Sequence, residues 1–483
     1  MANEIYHRSN WGESKPEGFG DMYFDPSATN KLYNRSTYYE NSDATDKILG
    51  DIPNKASIVL TPTGYSEDKI GSVIPVDGNG DFTFARNSSA TRVNQAGLIE
   101  ASQSNDTPRL DYTTGQGAFL LEPQSTNLIT YSEDYSQSEW TNSSYTKDAT
   151  ITNNTQSVAP DGTSGVFQYE CTVSGSNSQL GALKSITSGV AYTSSFYIKR
   201  INGVGSVKIR DVNNTELDIT DNLTSDWKRY TITGTSNSTN GRVYVNVLNA
   251  GDIIEVWGVQ LEQQSYATSY IPTNGSTVTR SAESANSSGN SDLFNDSEGV
   301  LYAEIAALTQ NSGDSRRFTI SDGSIDNRVS FELDETEGLI KLFLSGSGTT
   351  NTLTTTTDVS INFKIAASYN STSLKLFLDG TQIGADTSVV LPTGLNVFSF
   401  NNPFGGGTSP FYGKVKGVAV FKEALTDIEL EKLTSWRDFR DLAESLEYTL
   451  VTIKSDAIVV SAYGTTSGGG GVSGGGSGGG GGY

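Results

Sequence analysis

The sequence predicts an all-β protein: tandem antiparallel β-sandwich domains behind an extended N-terminal arm, with one short C-terminal helix after the second sandwich and a Gly-rich tail. Three observations predict it. Apolar residues, Tyr included, make up 35% of the chain and charged residues only 18%. The Ser, Thr, Asn and Gly that fill the gap lose more than Ala, Leu, Glu or Lys when made helical. Short runs alternating apolar and polar residues recur between turn clusters, as strands with one buried and one wet face do. Finally, 483 residues exceed what one core organises, which predicts two to four folded units.

Residues 1–55 are polar and carry Tyr6, Trp11, Phe19, Tyr23, Phe24, Tyr33, Tyr38 and Tyr39 without a sustained period. Such a segment cannot bury a core alone, so its aromatics predict an arm ordered on another subunit or protein. Residues 56–125 form a small β-rich module with runs such as ASIVL, DFTFA and AFLLEP. Within it, Asp77, Asn79 and Asp81 offer hard oxygen ligands, but Phe82 replaces the expected glycine and no glutamate closes the loop. A tight turn is therefore expected instead of a calcium loop. Residues 126–282 alternate strands and turns over a domain-sized span, predicting a first β-sandwich. Residues 283–298 are Ser/Asn-rich and read as a linker.

A second sandwich follows over residues 299–446. Its end predicts a helix: Thr426 and Glu429 form a capping box, and Leu425, Ile428, Leu433, Trp436 and Phe439 recur at helical spacing. Residues 447–483 hold a β coda (EYTLVTI, AIVVSAY) and a glycine-rich tail without side chains for a core.

Composition excludes several functions. A net charge of −22 would repel phosphate backbones and anionic lipid, so no nucleic-acid partner is expected. One cysteine, Cys171, and one histidine, His7, leave a protomer without an internal disulfide, a Cys/His zinc site, or Ser-His-Asp or Cys-His catalysis. Cys171 reads as a small buried strand residue. No signal-peptide-like stretch and no run near 18 apolar residues occur, so neither export by that route nor membrane insertion is expected. No cofactor, metal or catalytic residue is assigned.

Three resemblances add to this reading. The ordered series GDFTFARNSSATRVNQAGLIE, TPRLDY and LLEPQSTNLITYSEDYSQSEW, over Ser57 to Trp140, resembles a module of tailed-bacteriophage structural and tail-fibre proteins. DWKRYTITGT, VWGVQLE and ATSYIPT are similar to carbohydrate-binding jelly-roll modules. SLKLFLDGTQIG and FYGKVKGVAVFKEALTDIELEKL resemble laminin-G-like, concanavalin-like domains. Together they imply a virion fibre or adhesin displayed on the particle exterior. Its N-terminal arm would hold it to other virion proteins, its sandwiches would bind a host surface glycan, and it would be a homotrimer. The alternative is a structural head fibre, capsid decoration or tail accessory protein without an essential ligand.

Candidate sites follow. Glu332, Asp334 and Glu337 match the E-x-D-x-x-E pattern of retaining β-glucanases with the concanavalin-like fold, where two carboxylates act as nucleophile and acid/base. Here Glu335 and Thr336 stand where those enzymes carry apolar residues, and an acidic hairpin turn is the preferred reading. Trp140, Trp227, Tyr230 and Trp257 could stack on sugars, but Trp257 and Trp227 read as sandwich core. The preferred ligand-binding residues are Asn401, Asn402 and Phe404 in a glycine-rich loop, with Phe411 and Tyr412 beyond it.

Overall fold

The alternating runs pair into two sandwiches whose chain order differs from their spatial order. The computed structural model describes residues 3–5, 52–62, 64–102, 105–175, 178–308, 315–334, 338–402, 409–435, 448–452 and 458–462. Most of the N-terminal arm, Trp436, Phe439 and the Gly-rich tail lie outside the described residues.

In the first sandwich, a five-stranded sheet runs in the order Ala149–Val158, Ser164–Cys171, Ile253–Glu262, Ala191–Asn202 and Lys228–Thr235. A four-stranded sheet runs Gln179–Ser185, Asn240–Val247, Val207–Arg210 and Glu216–Asp218. Tyr169, Phe196, Ile198 and Val256 of the former share a core with Leu180, Ile209, Val243 and Val245 of the latter. Cys171 is buried in that core.

The second sandwich draws on both sides of the first. One sheet runs Thr381–Asp386, Ser373–Leu378, Phe363–Asn370, Gly299–Ala307, Gly413–Phe421, Ala118–Leu121 and Leu110–Asp111, and Ala56–Leu60 also pairs with Gly413–Phe421. The facing sheet has five strands: Thr349–Thr356, Leu339–Gly346, Arg328–Asp334, Ser315–Ser321 and Val397–Ser399. Ile58, Leu60, Phe82, Phe84, Leu110, Phe119 and Leu121 lie in one buried cluster with Leu301, Phe318, Phe331 and Leu342.

Two expectations are corrected here. Residues 56–125 are no separate module, because they supply strands and core to the second sandwich, into which the first is inserted. Residues 283–298 are no linker. Ser284–Asn286 pairs with Phe82–Ala85, and Ala285 and Phe294 are buried. The polar groups that suggested solvation instead satisfy backbone: Ser288 Oγ donates to Gly80 O at 2.7 Å, and Asp296 accepts from Gly394 N at 2.7 Å and Leu395 N at 2.9 Å. The Asp77 turn behaves as expected, since its carboxylate accepts from Asn79 N (2.9 Å) and Asn79 Nδ2 (2.7 Å).

The segment Ser57 to Trp140 closes the junction of the two sandwiches. Arg86, Arg109, Glu122, Arg280 and Glu283 meet there, all buried. Glu283 Oε1 accepts from Arg86 Nη1 and Arg109 Nε, each at 2.8 Å, and Glu283 Oε2 accepts from Glu122 N at 2.9 Å. Arg109 Nη2 and Arg280 Nη1 reach Glu122 Oε2 at 2.8 and 2.7 Å. Asn127 spans onward, donating to Ile271 O at 2.9 Å and accepting from Leu261 N at 3.2 Å. Buried charges survive only when paired and hydrogen-bonded, as here.

Burial opposes the charge on Glu122, but Arg280 and Arg109 outweigh it and hold the carboxyl down at about 2. Its folded pKa thus lies below the ordinary 4.5, so its stabilisation is present above that value and is lost as pH falls through it toward about 2. Urea midpoints should fall across this window, and less steeply in Glu122→Gln; an unchanged slope in that variant would remove Glu122 from the acid limb.

A further apolar contact joins the segment to the first sandwich: Ile99 packs with Ala159, Val166, Trp257 and Tyr270. Trp257 is therefore buried outside the sandwich core. The cause is a bulge at Gly258, whose φ of +62° suits glycine, so that Val256 and Val259 both face the core. Trp227 is only half-buried, its Nε1 donating to Val158 O at 2.8 Å and Lys199 lying 4.7 Å over its ring. Trp140 and Tyr230 are buried in the core.

The helix spans Asp427–Ser435. Its capping box forms, with Thr426 N donating to Glu429 Oε2 (2.8 Å) and Glu429 N to Thr426 Oγ1 (3.3 Å). Lys55 Nζ holds Glu429 Oε1 at 2.6 Å. The apolar face differs from expectation: Ile428 is 60% exposed, while Leu425, Leu430 and Leu433 pack on Tyr302, Phe377 and Phe421. Contacts to Lys55 and from Gly380 N to Thr434 Oγ1 (3.0 Å) set this rotation. Leu430→Ala should cost about 2–5 kcal/mol, and Ile428→Ala less than about 0.5 kcal/mol, as read by urea unfolding.

The coda strands Tyr448–Thr452 and Ile458–Ala462 pair antiparallel, and Asn3–Ile5 pairs with the latter.

Candidate functional site

The five-stranded sheet of the second sandwich has one face in the core and one turned outward. In Arg328–Asp334, Val329, Phe331 and Leu333 enter the core, so the period of two sends Arg328, Ser330, Glu332 and Asp334 to the outer face. Register aligns them in rows: Arg317, Glu332 and Lys341; then Thr319, Ser330 and Phe343; then Ser321, Arg328 and Ser345.

Glu332 is bonded by Arg317 Nη2, and its Oε1 accepts from Lys341 Nζ at 2.9 Å. Burial pushes its pKa up, but Lys341 and Arg317 outweigh this and leave the carboxyl below its ordinary value. Glu337 lies outside the described residues; the hairpin around it forms, with Asp334 opposite Leu339. In the middle row, Thr319 Oγ1 and Ser330 Oγ share a hydrogen bond of 2.7 Å.

Arg328 is 9% exposed. Its guanidinium lies over Phe343, 5.1 Å from the ring centroid, and its Nε is buried without a hydrogen-bond partner. Burial, and after it the neighbouring Arg317, lowers its pKa.

The loop residues chosen from sequence flank this face, since Ser409 O accepts from Arg317 N at 3.1 Å. Asn401 and Asn402 are half-buried, with Asn402 N donating to Asn401 Oδ1 at 2.7 Å. Phe404 lies outside the described residues. Phe411 needs correction: it is 1% exposed and packs among Phe318 and Phe400 at 6.2 and 5.6 Å, so no sugar can stack on it. Its N–H is tied to Phe400 O at 3.0 Å, which turns the ring inward. Tyr412 is half-buried, with Arg316 4.8 Å over its ring. Sequence reasoning passed over Arg328, although the alternation in RVSFELD already places it on the wet face with Glu332.

Among the described residues, no cluster of His, Cys, Asp or Glu could hold a metal, and no helix is long and apolar enough to cross a membrane.

Residues 305–431, which include this face, match the family model of the concanavalin A-like lectin/glucanases superfamily. The match is a likeness of this stretch to that superfamily. Solved structures similar to the chain include the Ruminococcus gnavus IT-sialidase CBM40 (17% identity, 31% of this chain and 93% of that one, TM-score 0.26). Domain 4 of AbnA, an extracellular arabinanase from Geobacillus stearothermophilus, in complex with arabinotriose, is 12% identical (32% and 73% covered, TM-score 0.27). The Bacillus licheniformis beta-glucanase is 16% identical (30% and 73% covered, TM-score 0.23). A search of the curated proteins finds no match. The stretch that resembles this superfamily carries the ion-paired Glu332 and Arg328 on one sheet face.

Proposed function

We propose that this chain is a non-enzymatic, glycan-binding adhesin of a bacteriophage virion, and that the outer face of its lectin/glucanase-type domain is the binding surface. The match of residues 305–431 to the lectin/glucanase family carries the glycan reading. Sandwich folds host many functions, so the composition of this face matters: the partly exposed Arg317 and Lys341 and the half-buried Phe343 stand together where sugar hydroxyls and rings can be met. The virion reading rests on the phage-like motif from Ser57 to Trp140. Attachment through the N-terminal arm and a trimeric state follow from resemblance to fibres, and trimerisation would let weak sites gain avidity.

Isothermal titration of the purified full chain against oligosaccharides of the host surface tests the binding; no heat with any of them would remove the glycan reading. Immunogold labelling of intact particles tests the virion reading. Particles that bind the antibody while the soluble chain fails to block adsorption would favour decoration over attachment.

A further inference from the structure

We propose that the outer face of the five-stranded sheet in the second sandwich selects a sugar bearing a carboxylate, with Arg328 as the group that pairs with it. The inference rests on the glycan-binding reading above and names the class of sugar. A guanidinium removed from water without a partner is destabilising unless something completes it. Arg328 is nine-tenths buried, and its Nε has no acceptor. Glu332 does not complete it, because that carboxylate is already shared by Arg317 and Lys341. Asp326 and Glu332 act on Arg328 only through space. Arg317 has a second buried Nε without a partner, so two guanidinium N–H groups on one sheet face await an acceptor.

The surroundings specify its shape. Phe343 lies beneath the guanidinium, and a planar fork matches a carboxylate in two parallel bonds. The buried Thr319–Ser330 hydroxyl pair occupies the row between Arg328 and Arg317 and spaces the two guanidinium groups apart. The chain as a whole carries −22 and repels anions, so selection of an acidic sugar needs a local cation held free of internal carboxylates. Arg328 meets that need. Uronic and sialic acids both present the required carboxylate.

The test titrates the full chain with a galacturonate hexamer, the same hexamer after carboxyl reduction, 3′-sialyllactose and lactose. One of the acidic probes should bind at least about tenfold tighter than its uncharged counterpart, and which one does so identifies the source of the carboxylate. Arg328→Met should remove that preference. Its Tm should be no lower than that of the parent, since an unpaired buried cation has been removed. Arg328→Lys, which keeps the charge without the fork, should fall between. Equal binding of acidic and uncharged probes, or an acidic preference that survives Arg328→Met, overturns the inference and leaves glycan binding standing. Absence of binding to all four probes, and to the host oligosaccharides, overturns both.

Discussion

A fragment comprising residues 299–446 is expected to remain unfolded, whereas residues 125–280 alone and the span 52–446 should each unfold cooperatively in urea. The shorter fragment is what the sequence delimits as the second sandwich. It lacks Ala56–Leu60 and Ala118–Leu121, which flank Gly413–Phe421 and satisfy its backbone. It also lacks Ile58, Leu60, Phe82, Phe84, Leu110, Phe119 and Leu121 from its core. Each such side chain contributes about 1.5–3 kcal/mol on burial, so their combined loss is as large as a domain's whole net stability of about 5–15 kcal/mol. Residues 125–280 contain both sheets of the first sandwich and its whole core. Near-UV circular dichroism with urea titration makes the comparison, and a cooperative transition for 299–446 would contradict the interleaved architecture.

Glu283→Ala should be the most damaging single substitution at the junction. It removes one bond from Arg86 and two from Arg109, and frees Glu122 N in a site closed to water. Breaking a buried ion pair from one side costs about 3–5 kcal/mol, which for units of this size lowers Tm by on the order of 10 °C. Glu216→Ala, which breaks the exposed contacts to Lys208 and Arg210, should leave Tm nearly unchanged. A calorimetric scan of the three proteins distinguishes them. If Glu283→Ala melts with the parent, the node contributes no net stability.

Much of the architecture was legible because it is local. Alternation in RVSFELD and GLIKLFLS gave two strands and the hairpin between them. The Thr426 capping box located the helix start, because both partners lie within one turn. The helix face was misread at Ile428, since Leu430 offers an equally regular stripe and only the contacts of Lys55 and Gly380 choose between them. Phe411 was misread for a similar reason: an aromatic next to a glycine-rich loop looks available until its backbone bond to Phe400 turns it inward. The segment Ser57 to Trp140 was visible as a unit, yet its Arg and Glu residues explained nothing until Arg280 and Glu283, more than 150 residues downstream, were brought to them.

The sequence by itself determined the fold class, the strands, the helix cap and the excluded chemistries. These depend on side-chain period, local hydrogen bonds and composition, which neighbouring residues decide among themselves. Tertiary structure alone decided that the first sandwich is inserted into the second, that residues 283–298 are packed, that Phe411 is core, and that Arg328 stands without a carboxylate. Each of these is set by pairing between segments far apart in the chain. Such pairing depends on which backbone groups and charges remain unsatisfied after local structure has formed, a quantity no single stretch of sequence contains.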